Sequence, residues 1–234
     1  FTIKDINDSD LKTERFISVM PKWIESNIVF DILKFKYRDF NSTEFIGEIT
    51  YNSKKLELKG EDMSMNALEG KVYGDILYYE NKIHDLVLKA NIQLNKVNIQ
   101  KGFTSFNNFN QTFILDKNIK GNGTSNIYLQ SMWDRNYNFY PKSFTMNAQL
   151  KIEDGELLNF QPMYSLSDYV SLEELKNVKF ATLENKVRIE DEKVIVPEMD
   201  IYSTALSVHA SGTHSFENNM DYKIRLLLSD ILSK

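Results

Sequence analysis

The side chains that most often carry out chemistry are few in this chain and are not arranged for catalysis. Its 234 residues include no cysteine and three histidines, at positions 84, 209 and 214. His209 and His214 are five residues apart, a spacing that puts them on opposite faces of a regular strand. We interpret the histidines as polar strand positions rather than metal ligands. The lack of cysteine excludes disulfides, thiolate metal sites and thiol catalysis.

The acidic clusters are the next candidates for chemistry. A glycosidase needs two carboxylates that converge in a cleft. Here the acidic runs are Glu153–Asp154, Glu173–Glu174 and Glu190–Asp191–Glu192, in predicted turns and on a predicted helix, where charges are normally solvated. The run Gly121–Asn122–Gly123 lacks the third glycine of a phosphate loop and instead predicts a bend in a strand. We therefore predict no enzyme activity, no catalytic residue, no metal ion and no cofactor.

One predicted loop is crowded with aromatic residues: Trp133, Tyr137, Phe139 and Tyr140. Such side chains can stack on a sugar or lie at a membrane interface. The commoner structure is a loop packed against its own sheet, so carbohydrate binding stays an alternative.

Three stretches near the C-terminus alternate apolar and polar residues almost without interruption. Side chains alternate across a strand, so each stretch has one apolar and one polar face. Of the two kinds of sheet, only the antiparallel kind commonly keeps one face in water. Something apolar must cover the other face. We predict that acyl chains do so, on a surface made of Phe144, Met146, Ala148, Leu150, Leu206, Val208, Ala210, Tyr222, Ile224, Leu226 and Leu228.

The pattern along the whole chain predicts a mainly β fold: a long, curved, antiparallel sheet resembling a taco, with about fourteen strands. Strands and helices do not alternate regularly, which argues against a parallel sheet. Three short helices are predicted, at residues 9–26, 102–111 and 167–176, the last with a Ser171–Glu174 capping box. The alternation slips between Leu94 and Val97, as at a β-bulge, and Asp154–Gly155 predicts a hairpin turn.

Composition limits the partners of this chain. A net charge of −5 argues against a general nucleic-acid binder, which would have a basic face. No apolar stretch approaches the length of about 18–20 residues that spans a membrane. We expect residues 1–234 to be a single segment cut from a longer chain, with any membrane anchor outside it.

The C-terminal sequence resembles a known family. The stretch LKIEDGELLNFQPM at residues 150–163 is followed by blocks at residues 175–185, 195–205 and 212–216. In this order they resemble the end of AsmA-like envelope proteins of the Bacteroidetes type, which are related to TamB and YhdP. The resemblance is strongest over residues 143–234.

This resemblance implies a periplasmic protein anchored in the inner membrane, with a curved β-sheet whose concave face is apolar. It implies phospholipid transport between the two membranes and support of outer-membrane assembly, with phospholipid and envelope proteins as partners. It implies no catalytic residues. The alternative is a non-transporting structural or interaction module of an envelope complex.

Overall fold

A computed structural model describes residues 23–168, 171–205, 207–217 and 219–226. In this part of the chain, eleven strands form one sheet, and each strand pairs antiparallel with the next in chain order. The strands are β1 (Glu25–Tyr37), β2 (Phe40–Asn52), β3 (Glu57–Ala67), β4 (Gly70–Glu80), β5 (Leu86–Asn98), β6 (Ile119–Trp133), β7 (Thr145–Leu158), β8 (Asn177–Glu190), β9 (Lys193–Ile201), β10 (Val208–Ser215) and β11 (Met220–Leu226).

The predicted fold class is confirmed: the protein is mainly β, and its sheet is antiparallel, open and curved. The described residues form eleven strands rather than about fourteen, because short polar interruptions that resemble turns lie inside longer strands. The two runs predicted at residues 178–183 and 186–189, for example, are both parts of β8.

Residues with positive φ bend several strands. The predicted bulge between Leu94 and Val97 is confirmed by a register shift there and by Lys96, with φ 51°. Similar shifts accompany Asp62 in β3, with φ 51°, and Gly121 in β6, with φ 134°. A bulge bends its strand and increases the local twist, so these positions help to curve the sheet.

The predicted hairpin turn at Asp154–Gly155 is wrong. Strand β7 runs through both residues without a break, and Asp154 takes a φ of 52° inside the strand. Asp and Gly both tolerate left-handed backbone conformations, so the same pair of residues serves a tight turn or a strand irregularity. Sequence alone does not distinguish the two.

Helices are short in the described residues: α1 (Ile99–Ser105) and α2 (Leu172–Lys176), with four 3-10 turns. The helix predicted through residues 102–111 is present only in part: α1 begins earlier, at Ile99, and ends at Ser105, and residues 107–110 have positive φ. Half of the predicted capping box is confirmed, since the Ser171 hydroxyl accepts from the Glu174 amide. The Glu174 carboxylate accepts from the same hydroxyl. Most of the predicted helix at 9–26 lies outside the described residues, and Ser26 belongs to β1.

A small hydrophobic core lies where the β7–β8 and β9–β10 connections meet the sheet. It is a buried cluster of Leu166, Leu175, Val178, Ala205 and Val208. Helix α2 supplies Leu175, which is fully buried. This cluster fixes the two connections but covers only one end of the strands.

Candidate functional site

One row of register partners crosses the entire sheet and is almost wholly apolar. Residues that are paired across antiparallel strands lie on the same face. The row consists of Ile28, Ile49, Gly60, Ile76, Ala90, Leu129, Met146, Ile189, Val194, His214 and Met220. We call the side that carries this row the apolar face. A neighbouring row on the other side is mostly polar: Asn27, Thr50, Lys59, Leu77, Lys89, Gln130 and Thr145.

Six of the predicted surface residues lie at alternate positions of the apolar face. Three are on β7 and three on the last two strands, namely Met146, Ala148, Leu150, Ala210, Tyr222 and Ile224. The structure therefore brings residues of all three alternating stretches, on β7, β10 and β11, to the same side of one sheet. Whether lipid occupies that side stays a prediction.

The other predicted residues differ in their surroundings. Val208 is only 6% exposed and belongs to the hydrophobic core, so protein rather than open space surrounds it. Phe144 directly precedes β7, and its ring lies between those of two other phenylalanines. Leu206 and Leu228 lie outside the described residues. Leu226 is the register partner of Val208.

Sequence reasoning missed most of the apolar face, which extends far beyond the C-terminal strands. Strand β5 contributes Leu88 and Ile92, β6 contributes Ile127, and β8 contributes Val187. The signal was present as the same alternation in β5 and β8. What the sequence lacked was the register that places these strands beside the predicted ones.

The middle of the apolar face is not covered by a second layer in the described part of the chain. Leu88, Ile92, Ile127, Leu129 and Leu150 are all half-buried, although they lie on central strands. In a two-layer architecture such residues would be packed under a second sheet or under helices. Here the described helices are short and lie near the strand ends. The face therefore forms an apolar trough along the curved sheet.

Several polar groups on the apolar face bond within the protein, whereas the Tyr51 hydroxyl is buried there with no hydrogen-bond partner in the structure. The Ser125 hydroxyl donates to the Gln149 carbonyl at 2.8 Å, and the Asn185 amide donates to the Pro197 carbonyl at 3.2 Å. Burial raises the pKa of Tyr78, on β4, to about 12, with a smaller contribution from Tyr137. The trough thus offers few free polar groups to a ligand.

The connection between β5 and β6, residues 99–118, crosses one end of the sheet, and we call it the crossover. It contacts the β3–β4 turn, where Lys101 forms an ion pair with Glu69 at 2.7 Å. At the β1–β2 turn, the ring of Phe106 stacks on Phe40 with centroids 5.6 Å apart. At the end of β7, the Asn118 amide donates to the Leu158 carbonyl at 3.0 Å.

The crossover also reaches the last strand. The ring of Phe113 stacks on Tyr222 of β11, although Phe106, seven residues earlier, contacts β2. Seven residues extend no further than about 25 Å, whereas β2 and β11 would be about 43 Å apart in a flat sheet. Both contacts fit the observed curvature of the sheet.

At the opposite end, aromatic rings form a chain along the rim. Trp133 contacts Phe139 at 5.7 Å, and Phe144 contacts both Phe139 and Phe216 at 6.4 Å. The loop that carries Tyr140 is held to the sheet, since the Tyr140 amide donates to the Met132 carbonyl at 3.0 Å. This is the packing that sequence reasoning considered commoner than a sugar-binding loop.

The titratable groups are dispersed. His209 pairs with Asp200, and His84 pairs with Glu80, which also binds Arg135 at 2.7 Å. Burial raises the pKa of Glu80, but the hydrogen bonds from Arg135 and His84 outweigh it and lower the pKa overall. No cluster of three potential metal ligands occurs among the residues that the structure describes.

Comparisons with models of protein families, with characterised proteins and with solved structures find no match to this chain. Among the residues placed in the structure, no helix has the length and apolar character needed to cross a membrane.

Proposed function

We propose that this sheet holds phospholipid acyl chains on its apolar face. It would do so as a periplasmic segment of an AsmA-like protein, anchored in the inner membrane and supporting lipid transport between membranes and outer-membrane assembly. The observation that carries the proposal is the apolar row that crosses all eleven strands while three of its members on central strands, Ile76, Leu129 and Met146, stay half-buried. The sequence resemblance supplies the envelope setting.

The chemistry of the trough favours a hydrocarbon over a peptide. A peptide brings amide groups, and each one buried without a hydrogen bond costs about 1–3 kcal/mol. Each central strand already pairs with a neighbouring strand on both sides, so its backbone has no free edge for a peptide. The side chains of Ser125 and Asn185 are hydrogen-bonded within the protein. An acyl chain has no such groups to satisfy, and each methylene that leaves water contributes about 0.8 kcal/mol.

Two adjacent residues on β6 provide a matched test. Ile127 is half-buried on the apolar face, whereas Tyr128 is 40% exposed on the other face. We expect wild type and Tyr128→Lys to retain co-purified lipid in native mass spectrometry and to bind the apolar dye N-phenyl-1-naphthylamine. Ile127→Lys should lose both, because a lysine charge in the trough is incompatible with packed acyl chains. Circular dichroism checks that each variant is folded.

Absence of lipid and dye binding in the wild-type protein would refute the proposal. So would equal binding by the two folded lysine variants, because the ligand would then not occupy the apolar face.

Among the described strands β1 pairs on one side only, and this edge favours a second candidate, a structural or interaction module. Val29 and Leu33 on this strand are each 77% exposed. An exposed, apolar edge strand is a template for pairing with another chain. Light scattering coupled to size-exclusion chromatography, with native mass spectrometry of each peak, separates the candidates: an associated protein without lipid supports the module, and bound lipid in any oligomeric state supports the carrier.

A further inference from the structure

A polar cleft of about 730 Å³ lies between the crossover and the β1–β2 and β3–β4 turns. On one side α1 contributes Lys101 and Thr104 to its lining. On the other side the β1–β2 turn contributes Asp39 and the β3–β4 turn contributes Glu69. The neighbouring ends of β2, β3 and β4 complete the lining. The cleft is therefore a product of the tertiary fold rather than of one loop.

Ser42 is the most deeply buried polar residue of this lining. It is 4% exposed, and its hydroxyl has no hydrogen-bond partner among the residues that the structure describes. Ser53, at the other end of β2, is also buried, but its hydroxyl accepts from the Ile24 amide at 2.9 Å. Buried polar groups are nearly always hydrogen-bonded, so the Ser42 hydroxyl calls for a partner. A ligand in the cleft is the partner that its position suggests.

Part of the cleft belongs to the apolar face. Alternate positions along β4 lead from Ile76, in the apolar row, to Gly70 at the start of the strand. Gly70 is the register partner of Ala67, and Ala67 is the register partner of Ser42. Register partners lie on the same face, and all three residues line the cleft. A molecule that occupies both the trough and the cleft is therefore amphiphilic.

The charges that line the cleft balance, with two lysines and two carboxylates. Lys101 forms an ion pair with Glu69 at 2.7 Å, and hydrogen bonds from Lys101 and Asn98 lower the pKa of Glu69. Asp39 and Lys71 form no ion pair with other described residues. A simple anion would be repelled by the carboxylates and a simple cation by the lysines. A group that carries both charges is complementary to this cleft.

We propose that this cleft binds the head group of a zwitterionic phospholipid. The inference rests on the proposed function and deepens it by naming the class of lipid. The phosphate would accept a hydrogen bond from the Ser42 hydroxyl and be attracted by Lys71 and Lys101. The ammonium group would be attracted by Asp39 and Glu69. The acyl chains would pass directly onto the apolar face, to which part of the lining belongs.

Soluble probes test the head-group site separately from the trough. O-phosphoethanolamine carries the head group without acyl chains, and inorganic phosphate lacks the ammonium group as well. Phosphorus NMR titrations give the Kd of each probe. We expect wild type to bind O-phosphoethanolamine about tenfold more tightly than inorganic phosphate, because only the former uses both kinds of charge. Dihexanoyl-phosphatidylethanolamine, below its micellar concentration, should bind more tightly still, because its acyl chains reach the apolar face.

Substitution of Ser42 should separate binding from stability. Ser42→Ala should weaken binding of O-phosphoethanolamine and of the short-chain lipid about tenfold, as for a lost hydrogen bond to a charged group. The free variant should be at least as stable as wild type, because it loses an unpartnered buried hydroxyl. Ser53→Ala is the matched control: it removes a bonded hydroxyl, so it should lower the stability and keep the affinity. Circular dichroism checks that each variant is folded.

Substitution of Lys71 tests the charge of the site. Lys71→Gln should weaken binding of O-phosphoethanolamine about threefold and make it less sensitive to salt, because an exposed charge acts through a screened attraction. Lys54→Gln removes the same charge in the β2–β3 turn, at the other end of the strands. It should change neither the Kd nor its dependence on salt.

The outcomes separate this inference from the function on which it rests. If wild type binds the short-chain lipid and the dye but folded Ser42→Ala and Lys71→Gln keep its affinity, the cleft is not the head-group site and the carrier proposal survives. If O-phosphoethanolamine binds through Ser42 but neither lipid nor dye binds, the carrier proposal fails and the cleft takes a free phosphate ester. Inorganic phosphate bound as tightly as O-phosphoethanolamine would overturn the zwitterionic assignment, and no binding of either would overturn the site.

Discussion

The rings of Phe113 and Tyr222 lie nearly parallel, 4° apart in orientation and with centroids 4.9 Å apart, although the two residues are separated by five strands of the sheet. Gly212 makes this contact possible, because it is the register partner of Tyr222 and a Cβ there would lie 2.2 Å from the Tyr222 ring. The contact links the middle of the chain to its last described strand. It is therefore a long-range restraint on the curvature of the sheet.

Removal of the Phe113 ring should destabilise the protein. Truncation of a buried phenylalanine costs about 3–5 kcal/mol, and we expect about 2–3 kcal/mol for Phe113→Ala because this ring is only half-buried. Phe106→Ala should cost about 1 kcal/mol or less, since Phe106 is largely at the surface. Urea denaturation measures both free energies of unfolding. Equal decreases in the free energy of unfolding would show that the contacts of Phe113 stabilise the protein no more than those of Phe106.

The stacking itself can be isolated by a double-mutant cycle. We expect a coupling energy of about 0.5–1.5 kcal/mol between Phe113→Ala and Tyr222→Ala, as for other aromatic pairs. The pair Phe113→Ala and Tyr128→Ala should show none, because Tyr128 lies on the other face of the sheet. A coupling near zero for Phe113 and Tyr222 would mean that the rings do not stack in solution.

Substitutions of Asp154 test the positive φ at this position inside β7. With φ 52°, this position suits glycine and is unfavourable for a β-branched side chain. Asp154→Val should destabilise the protein by about 1–2 kcal/mol, whereas Asp154→Gly should be neutral or stabilising. Asn147→Val is the control, because Asn147 is an exposed, regular strand position where valine is favoured. Thermal unfolding measures the stability of each variant. Equal melting temperatures for Asp154→Val and Asn147→Val would contradict a positive φ at Asp154.

The sequence predicted the fold class because alternation is a local signal, and each of β5, β7, β10 and β11 carries it. The bulge near Lys96 was predictable for the same reason, since it interrupts that alternation. The irregularity of β7 at Asp154–Gly155 was not predictable, because a hairpin turn and a strand irregularity use the same residues. The apolar face was predicted only in part, since the register that aligns Ile92 and Ile127 with Ala148 is a long-range property.

No local pattern in the sequence could have predicted that the crossover contacts the last described strand. Its phenylalanines predicted a short helix with an aromatic stripe, but only Phe103 of that stripe lies in α1, and Phe109 has a φ of 53° in the turn that follows. Phe113 stands outside the stripe, and nothing near it in the sequence points to Tyr222. The contact depends on the curvature of the whole sheet.

Alkaline pH should weaken the fold through Tyr78. Burial raises the pKa of Tyr78 to about 12 in the folded protein, against an ordinary value of 10.0. The folded state therefore favours the neutral phenol, and this stabilisation is complete below pH 10 and is lost as the pH rises towards 12. Tyr78→Phe should reduce the fall in the free energy of unfolding between pH 10 and 12. Absorbance at 295 nm should show one fewer late-titrating tyrosine, and an unchanged titration curve would contradict the assignment.

The edge strand β1 should drive self-association. Val29 and Leu33 are highly exposed on the side opposite Phe30 and Ile32, and β1 has a paired neighbour, β2, on one side only among the described strands. Lysine on an edge strand opposes pairing with another chain, because it brings charge to the contact. We expect the double variant Val29→Lys and Leu33→Lys to stay monomeric at concentrations where the wild type associates, as measured by light scattering.

The matched control for the edge is a pair of lysines on a central strand, Asn147→Lys and Gln149→Lys. These side chains are exposed on the polar face of β7, both of whose edges are already paired, so they should leave self-association unchanged. If the central pair suppresses association as strongly as the edge pair, added net charge rather than the β1 edge explains the effect. Binding of N-phenyl-1-naphthylamine should persist in both double variants, since neither places a charge on the apolar face.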